Sequence, residues 1–379
     1  MNLIEIFEDN VVAFRYSRRH FISSAALAGL APVGASCAFN SNAEQKTVNY
    51  DNTHPSKATA DLLSLLNIQY PIIQAPTGSA VISDMTAAVS NCGALGAIPL
   101  SWSSAQQAVK AITDVQSKTK DSFFANFVLS FEPIALPAAL DSGTRVIQFS
   151  WGMPSSAMID SIRSANAVMG IQVTSKESAE TALDLGADYL VCQGMEAGGH
   201  VHASKPLARA LEEVLGVAGN VPVAASGGIA TGHKMREYMQ MGAAGVVMGS
   251  RFVASRESAA HDQYKKALIN SNSEDTVFTT CMNKGWDNAT HRILRNSTFK
   301  MWESAGCPSP GTRPGETDVI ATYGHNKTIE RYSVESPNRR YSGDIEAMAV
   351  YAGMGVNEIS DAPGVEEIIS RVWSEFLDV

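Results

Sequence analysis

Apolar and polar positions alternate in blocks along most of this chain. Between Asp61 and Phe252, eight short apolar runs occupy residues 71–74, 94–100, 123–128, 145–149, 168–173, 189–193, 221–225 and 245–248. Amphipathic stretches separate them, among them 104–118, 155–165, 176–185 and 231–241. The runs recur at roughly 20- to 35-residue intervals, the spacing of strand–helix units. Continuous apolar runs suit strands buried on both faces of a parallel sheet. Ser175 before Lys176, with Ser178 behind it, marks a helix start. Eight such units close most naturally into an α/β (β/α)8 TIM barrel. An open doubly wound sheet is the alternative, but the turn after the first run reads Ala75-Pro76-Thr77-Gly78-Ser79 and lacks a GxGxxG.

Past Phe252 the pattern changes. Residues 255–342 are polar and broken by clusters such as Cys307-Pro308-Ser309-Pro310-Gly311, which predicts a smaller helical and loop region over the barrel mouth. Residues 343–379 carry an apolar helix over 365–377, expected to pack on the body. The division is therefore a segment 1–43, a barrel 44–254, a lid-like region 255–342 and a C-terminal helical segment 343–379.

The first segment reads as an address. Ser17-Arg18-Arg19-His20-Phe21-Ile22 precedes an apolar run over 25–38, interrupted by Gly29, Pro32 and Gly34. That run is too short and weak to span a bilayer stably, and it fits the h-region of a signal peptide. The paired arginines predict twin-arginine export to the periplasm, with cleavage after Ala38 or Ala43. Gly34-Ala35-Ser36-Cys37 is a poor lipobox. An ordinary amphipathic helix in a cytoplasmic protein is the alternative, because Glu5, Glu8 and Asp9 are unusual for a signal.

A net charge of -9 on 379 residues argues against nucleic acid as the partner, and the pair Arg339-Arg340 is too small to change that. The five cysteines form no CxxC pair. Cys281 and Cys307 are free thiols, or a disulfide in an oxidising compartment.

In a barrel, ligands sit at the C-terminal ends of the strands, and the unusual residues fall there. The sixth run ends in Gln193-Gly194-Met195-Glu196-Ala197-Gly198-Gly199-His200. Glycines admit a ligand to the backbone, and a histidine beside them can move a proton near neutral pH. Gly227 and Gly228 follow the seventh run, and Met248-Gly249-Ser250 the eighth. Loops after the seventh and eighth strands commonly form a phosphate site. Asn126 ends the third run, where its amide either caps a turn or meets the polar edge of a ring; Gln193 is placed to do the same. Glu196 is a candidate acid, more simply paired within its own turn. His261, His291 and His325 lie in polar segments and are expected in solvent. Trp286, Trp302 and Tyr323 line a lid or pack in its core.

Taken together these motifs resemble the nitronate monooxygenase family, the former 2-nitropropane dioxygenases. The likeness runs from about Leu62 to the end. It is carried by Pro71-Ile72-Ile73-Gln74-Ala75-Pro76, Ser90-Asn91-Cys92-Gly93-Ala94-Leu95-Gly96, the turn ending in His200, residues 222–232 and 242–252, and Tyr351-Ala352-Gly353. The resemblance implies an FMN-dependent barrel that oxidises nitronates or nitroalkanes with O2. It implies His200 as the base. It implies FMN contacts at Ala75, Pro76, Thr77, Asn126, Gln193, Gly198, Gly227, Gly228, Val247, Met248, Gly249 and Ser250. Departures are Thr77 for a usual methionine, Val201-His202 for Arg-Gly, Ser226 for alanine and Ser250 for threonine. The change after His200 bears on the substrate.

Three rivals follow. An FMN-type enoyl-acyl-carrier-protein reductase shares the Gly194–His200 motif and uses NAD(P)H, but export argues against it. A metal hydrolase would use His200 and His202 as an HxH pair. A non-catalytic flavin-binding module would hold FMN without turnover.

Overall fold

The structure is a computed structural model that describes residues 55–324 and 327–378. The proposed signal segment and His325 lie outside the described residues. Eight parallel strands form one sheet: Ile72–Gln74, Gly96–Pro99, Phe123–Val128, Val146–Ser150, Val168–Val173, Tyr189–Gln193, Val223–Ser226 and Gly245–Met248. Neighbours follow chain order from the second to the eighth, and the eighth pairs with the first. A parallel bridge between Ile73 and Leu95 joins the first strand to the second and closes the ring.

Alternation along the strands sorts the side chains into two layers. Ile73, Leu95, Ala97, Phe124, Val146, Tyr189, Val191, Ala224 and Val247 form the interior, with Leu62 and Leu66 of the helix Lys57–Leu66 packed against them. Their neighbours Ile72, Ile98, Ala125, Ile147, Met169, Leu190, Ala225, Val246 and Met248 pack outward against the surrounding helices. Tyr189 fills the interior where Gly170 has no side chain: a Cβ there would sit 2.1 Å from the Tyr189 ring.

Helix starts follow local chemistry. Ser175 accepts from the Ser178 N–H and completes a capping box, and Ser104 does so with Gln107. The last helix, Val365–Leu377, packs on Gly232–Gln240, where Glu375 accepts from the Gly232 N–H at 2.8 Å.

The region after the barrel holds more than helices and loops. Besides the helices Asp262–Ile269 and Ser297–Ser304, it carries two antiparallel three-stranded sheets. One joins Val319–Tyr323, Lys327–Glu330 and Tyr341–Gly343. The other joins Thr276–Thr279 and His291–Leu294 to Gly199–His200, and so ties this region to the turn after the sixth barrel strand.

Candidate active site

The turn leaving the sixth strand is held from several sides. Glu196 reaches out of its own turn, contrary to the simpler expectation. Its carboxylate accepts from the Leu207 N–H at 2.8 Å, at the start of Leu207–Ala218, where Pro206 offers no side-chain cap. Buried Arg292 donates to the Met195 carbonyl from Nη2 at 2.8 Å and from Nε at 3.1 Å. Gly198 is fixed by packing: a Cβ would sit 2.3 Å from the Gly353 nitrogen and 2.5 Å from the Ala352 carbonyl carbon.

This framework delivers His200 onto a short strand paired with His291–Leu294. Its imidazole lies in an aromatic cluster. Trp286 stacks on it with ring centroids 4.2 Å apart and planes 27° apart. Tyr351 stands at 5.3 Å, His291 at 5.6 Å and Trp151 at 6.4 Å. The His200 Nε2 is buried and has no hydrogen-bond partner among the described residues. Burial, aided by neighbouring His291, pushes the pKa of His200 down to about 3. The ring is therefore neutral at physiological pH.

His291, expected in solvent, is fully buried. Its Nδ1 lies 2.9 Å from the Ala289 carbonyl, and its Nε2 accepts from the Met282 N–H at 3.1 Å. Those partners fix a neutral, Nδ1-protonated tautomer, and burial lowers its pKa to about 4. His261 accepts from the Gln263 N–H and caps Asp262–Ile269. His202 turns to Trp151, stacking at 4.8 Å and 17°. Among the described residues no group of three His, Cys, Asp or Glu could hold a metal. Cys281 and Cys307 are free thiols.

The barrel interior carries a band of amides. Asn126, Gln148, Gln172 and Gln193 come from the third to sixth strands. Asn126 Nδ2 donates to the Gln148 carbonyl at 3.2 Å. The Tyr189 hydroxyl donates to Gln148 Oε1 at 3.1 Å. Gln193 Oε1 accepts from Gln172 Nε2 at 3.1 Å and from the His202 N–H at 2.9 Å. Gln148 and Gln172 did not stand out in the sequence.

The remaining predicted contacts converge on the first, seventh and eighth strands. The Ala75 N–H donates to the Met248 carbonyl at 2.8 Å. Gly249 lies beside Ala75 and Thr77, with a notional Cβ 3.5 Å from each side chain. Ser250 Oγ accepts from the Gly353 N–H at 3.0 Å, which leaves its proton free to donate. Val247 faces the interior, whereas the Met248 side chain points into the outer core. Pro76 precedes Thr77, whose Oγ1 is buried without a partner, as is Gln74 Nε2. Gly227 and Gly228 follow the seventh strand with φ of 138° and 65°. Gln74 shares the outward face of its strand with the paired Met248, and its Oε1 accepts from the Ala97 N–H at 3.2 Å. The Thr77 hydroxyl is the kind of unmet buried group that a polar ligand would satisfy.

Of the three aromatics read as lid or core, only Trp286 reaches the site. Trp302 packs on Phe299 and donates to the Pro308 carbonyl, and Tyr323 packs on Tyr341. Trp151 directly follows the fourth strand and belongs to no motif that would mark it in the sequence.

The nitronate monooxygenase family model matches residues 59–137 and 133–375. Nitronate monooxygenase of Pseudomonas aeruginosa is 28% identical over 349 residues, a match covering 80% of this chain and 95% of that protein. FabK from Thermotoga maritima superposes with a TM-score of 0.70 at 26% identity, covering 83% of this chain and 95% of FabK. Nitroalkane oxidase from Streptomyces ansochromogenes gives a TM-score of 0.68 at 22% identity over 83% of this chain and 97% of its own, a likeness of fold.

Proposed function

The chain belongs to the nitronate monooxygenase family, and we propose that it oxidises nitronates with FMN and O2, with His200 at the reacting carbon. The observation that carries this reading is the buried, unpartnered Nε2 of His200, on a turn tied to the amide band through Gln193.

The residues present fit FMN. The unmet Thr77 Oγ1 is a polar group awaiting a partner just beyond the first strand. The backbone at Gly227, Gly228 and Gly249, with the Ser250 hydroxyl, suits a phosphate. Asn126 and Gln193 suit the polar edge of the ring. Bound FMN would supply the electron acceptor and the path of electrons to O2.

His200 does the proton work. A neutral imidazole can accept the acidic α-proton of a nitroalkane. Its depressed proton affinity makes that step uphill, because a buried imidazolium forms beside His291. An already ionised nitronate needs no such transfer, and the imidazole has only to hold it in place. Nitronates are thus the better substrates in this reading, and nitroalkanes the slower ones.

The test is the visible spectrum of the purified protein, followed by propyl-2-nitronate with and without O2. A flavin spectrum that bleaches anaerobically and recovers in air with O2 consumption supports the proposal. A colourless protein, or a flavin inert to nitronate, overturns it. Bleaching by NADH instead would favour the reductase reading. The proposal extends to export through Arg18-Arg19, which a fusion of residues 1–43 to a reporter of periplasmic location would check.

A further inference from the structure

A chain of aromatic rings connects the protein surface to His200. Trp102, after the second barrel strand, is 59% exposed. It meets Phe131 edge-on at 5.3 Å, and Phe131 meets Trp286 at 5.1 Å. Trp151 contacts Trp286 at 4.8 Å. The Trp286 indole thus occupies a slot walled by the rings of His200, Trp151, Phe131 and Trp102. It covers the imidazole that a substrate must reach.

The walls and the indole are held differently. Trp151 has a φ of 58°, a left-handed conformation that a bulky residue adopts only where surrounding structure imposes it. His202, lying flat against its ring, backs it. Trp286 sits in the connection between Thr276–Thr279 and His291–Leu294, flanked by Gly285 with φ of 113° and Asn288 with φ of 60°. The slot therefore has one wall, Trp151, held from the barrel side and an occupant on a turn-rich connection. His202 stands at one of the two positions where this chain departs from the family after its histidine.

Resting on the proposed oxidation of nitronates, we infer that this slot selects substrates carrying a planar aromatic ring. Trp151, backed by His202, is the specificity-determining wall, and Trp286 is the ring that yields its place. What fits around an indole fits a phenyl or fused-ring group of similar thickness. A short alkyl nitronate leaves those ring faces uncovered. Offset or edge-on ring pairs of this kind contribute roughly two- to tenfold in affinity each.

The experiment measures binding separately from turnover. Phenylacetate and isobutyrate are unreactive carboxylate counterparts of an aromatic and an alkyl nitronate. Each is titrated into the holoenzyme while tryptophan fluorescence and the flavin band are followed. Phenylacetate is expected to bind at least tenfold more tightly. Trp151→Ala narrows that ratio to within threefold, Trp151→Phe restores most of it, and exposed His202→Ala narrows it without a folding burden. Trp286→Ala speeds phenylacetate association in stopped flow, since no indole has to leave first. Equal affinities in the wild type, or a ratio unmoved by both Trp151→Ala and His202→Ala, overturn the inference. Kinetics with the nitronates of phenylnitromethane and 2-nitropropane separate the two proposals. If binding discriminates but neither nitronate is consumed, the function fails and the slot stands. If both nitronates are consumed with equal kcat/KM, the function stands and the slot fails.

Discussion

The imidazoles of His291 and His200 meet edge to face at 5.6 Å, across directly paired positions of two antiparallel strands. Both ring nitrogens of His291 are committed to backbone groups of its own loop. It therefore stays neutral and fixed, while His200 beside it keeps a free nitrogen. One histidine is a scaffold and the other is available for chemistry, and that difference comes from hydrogen bonding alone.

Removing the scaffold exposes its worth. His291→Leu leaves the Met282 N–H and the Ala289 carbonyl buried without their partner, at a cost of about 1–3 kcal/mol. The midpoint of urea unfolding should fall accordingly with an unchanged slope. A shift within about 0.5 kcal/mol would mean that water or a relaxed loop replaces the imidazole.

Acid should destabilise the protein in a defined window. His200 and His291 have folded-state pKa values of about 3 and about 4, both below the ordinary 6.5. The unfolded chain then binds more protons than the folded one, so stability rises with pH in this range. Their contribution is complete above about pH 6.5 and is lost as pH falls toward 4 and then 3. Each contributes a slope of about 1.4 kcal/mol per pH unit between its two pKa values. Unfolding midpoints measured from pH 7 to 4 check this, and His200→Asn should flatten the slope by about half of the histidine contribution.

The barrel was legible because its signal is burial. The strands Val168–Val173, Tyr189–Gln193 and Gly245–Met248 coincide with apolar runs, and Val365–Leu377 with the apolar helix expected there. The sheet that receives His200 was not legible. Thr276, Thr279, His291 and Arg292 are buried in it by hydrogen bonding, so a hydrophobic pattern reads those strands as solvated loop. The same reason hid Gln148 and Gln172 inside apolar runs. The glycines and His200 were visible as a motif. The aromatic slot was not, because Trp102, Phe131, Trp151 and Trp286 come from separate loops and meet only once the barrel closes.

Truncating His200 separates the two roles proposed for it. His200→Asn should keep FMN, since the contacts proposed for the cofactor lie elsewhere. Turnover of a neutral nitroalkane should fall by about 10²–10⁴. Turnover of the preformed nitronate should fall less, because no proton has to be taken. Oxygen consumption with nitroethane and with its nitronate gives both numbers. Equal losses on the two substrates would assign His200 to binding alone, and loss of flavin would make it structural.

The phosphate assignment has its own test at Gly228. Its φ of 65° is left-handed, and a Cβ would lie 3.1 Å from the Glu196 Cβ. Gly228→Ala therefore strains the loop by about 1 kcal/mol and pushes its backbone away from Glu196. If this loop holds the phosphate, FMN affinity should weaken by about tenfold. Riboflavin has the same ring without the phosphate, so its affinity should change little. Fluorescence titration of the flavin-free protein with each ligand makes the comparison. A parallel loss for FMN and riboflavin would show that the substitution disturbs the ring site, and the phosphate would then belong elsewhere.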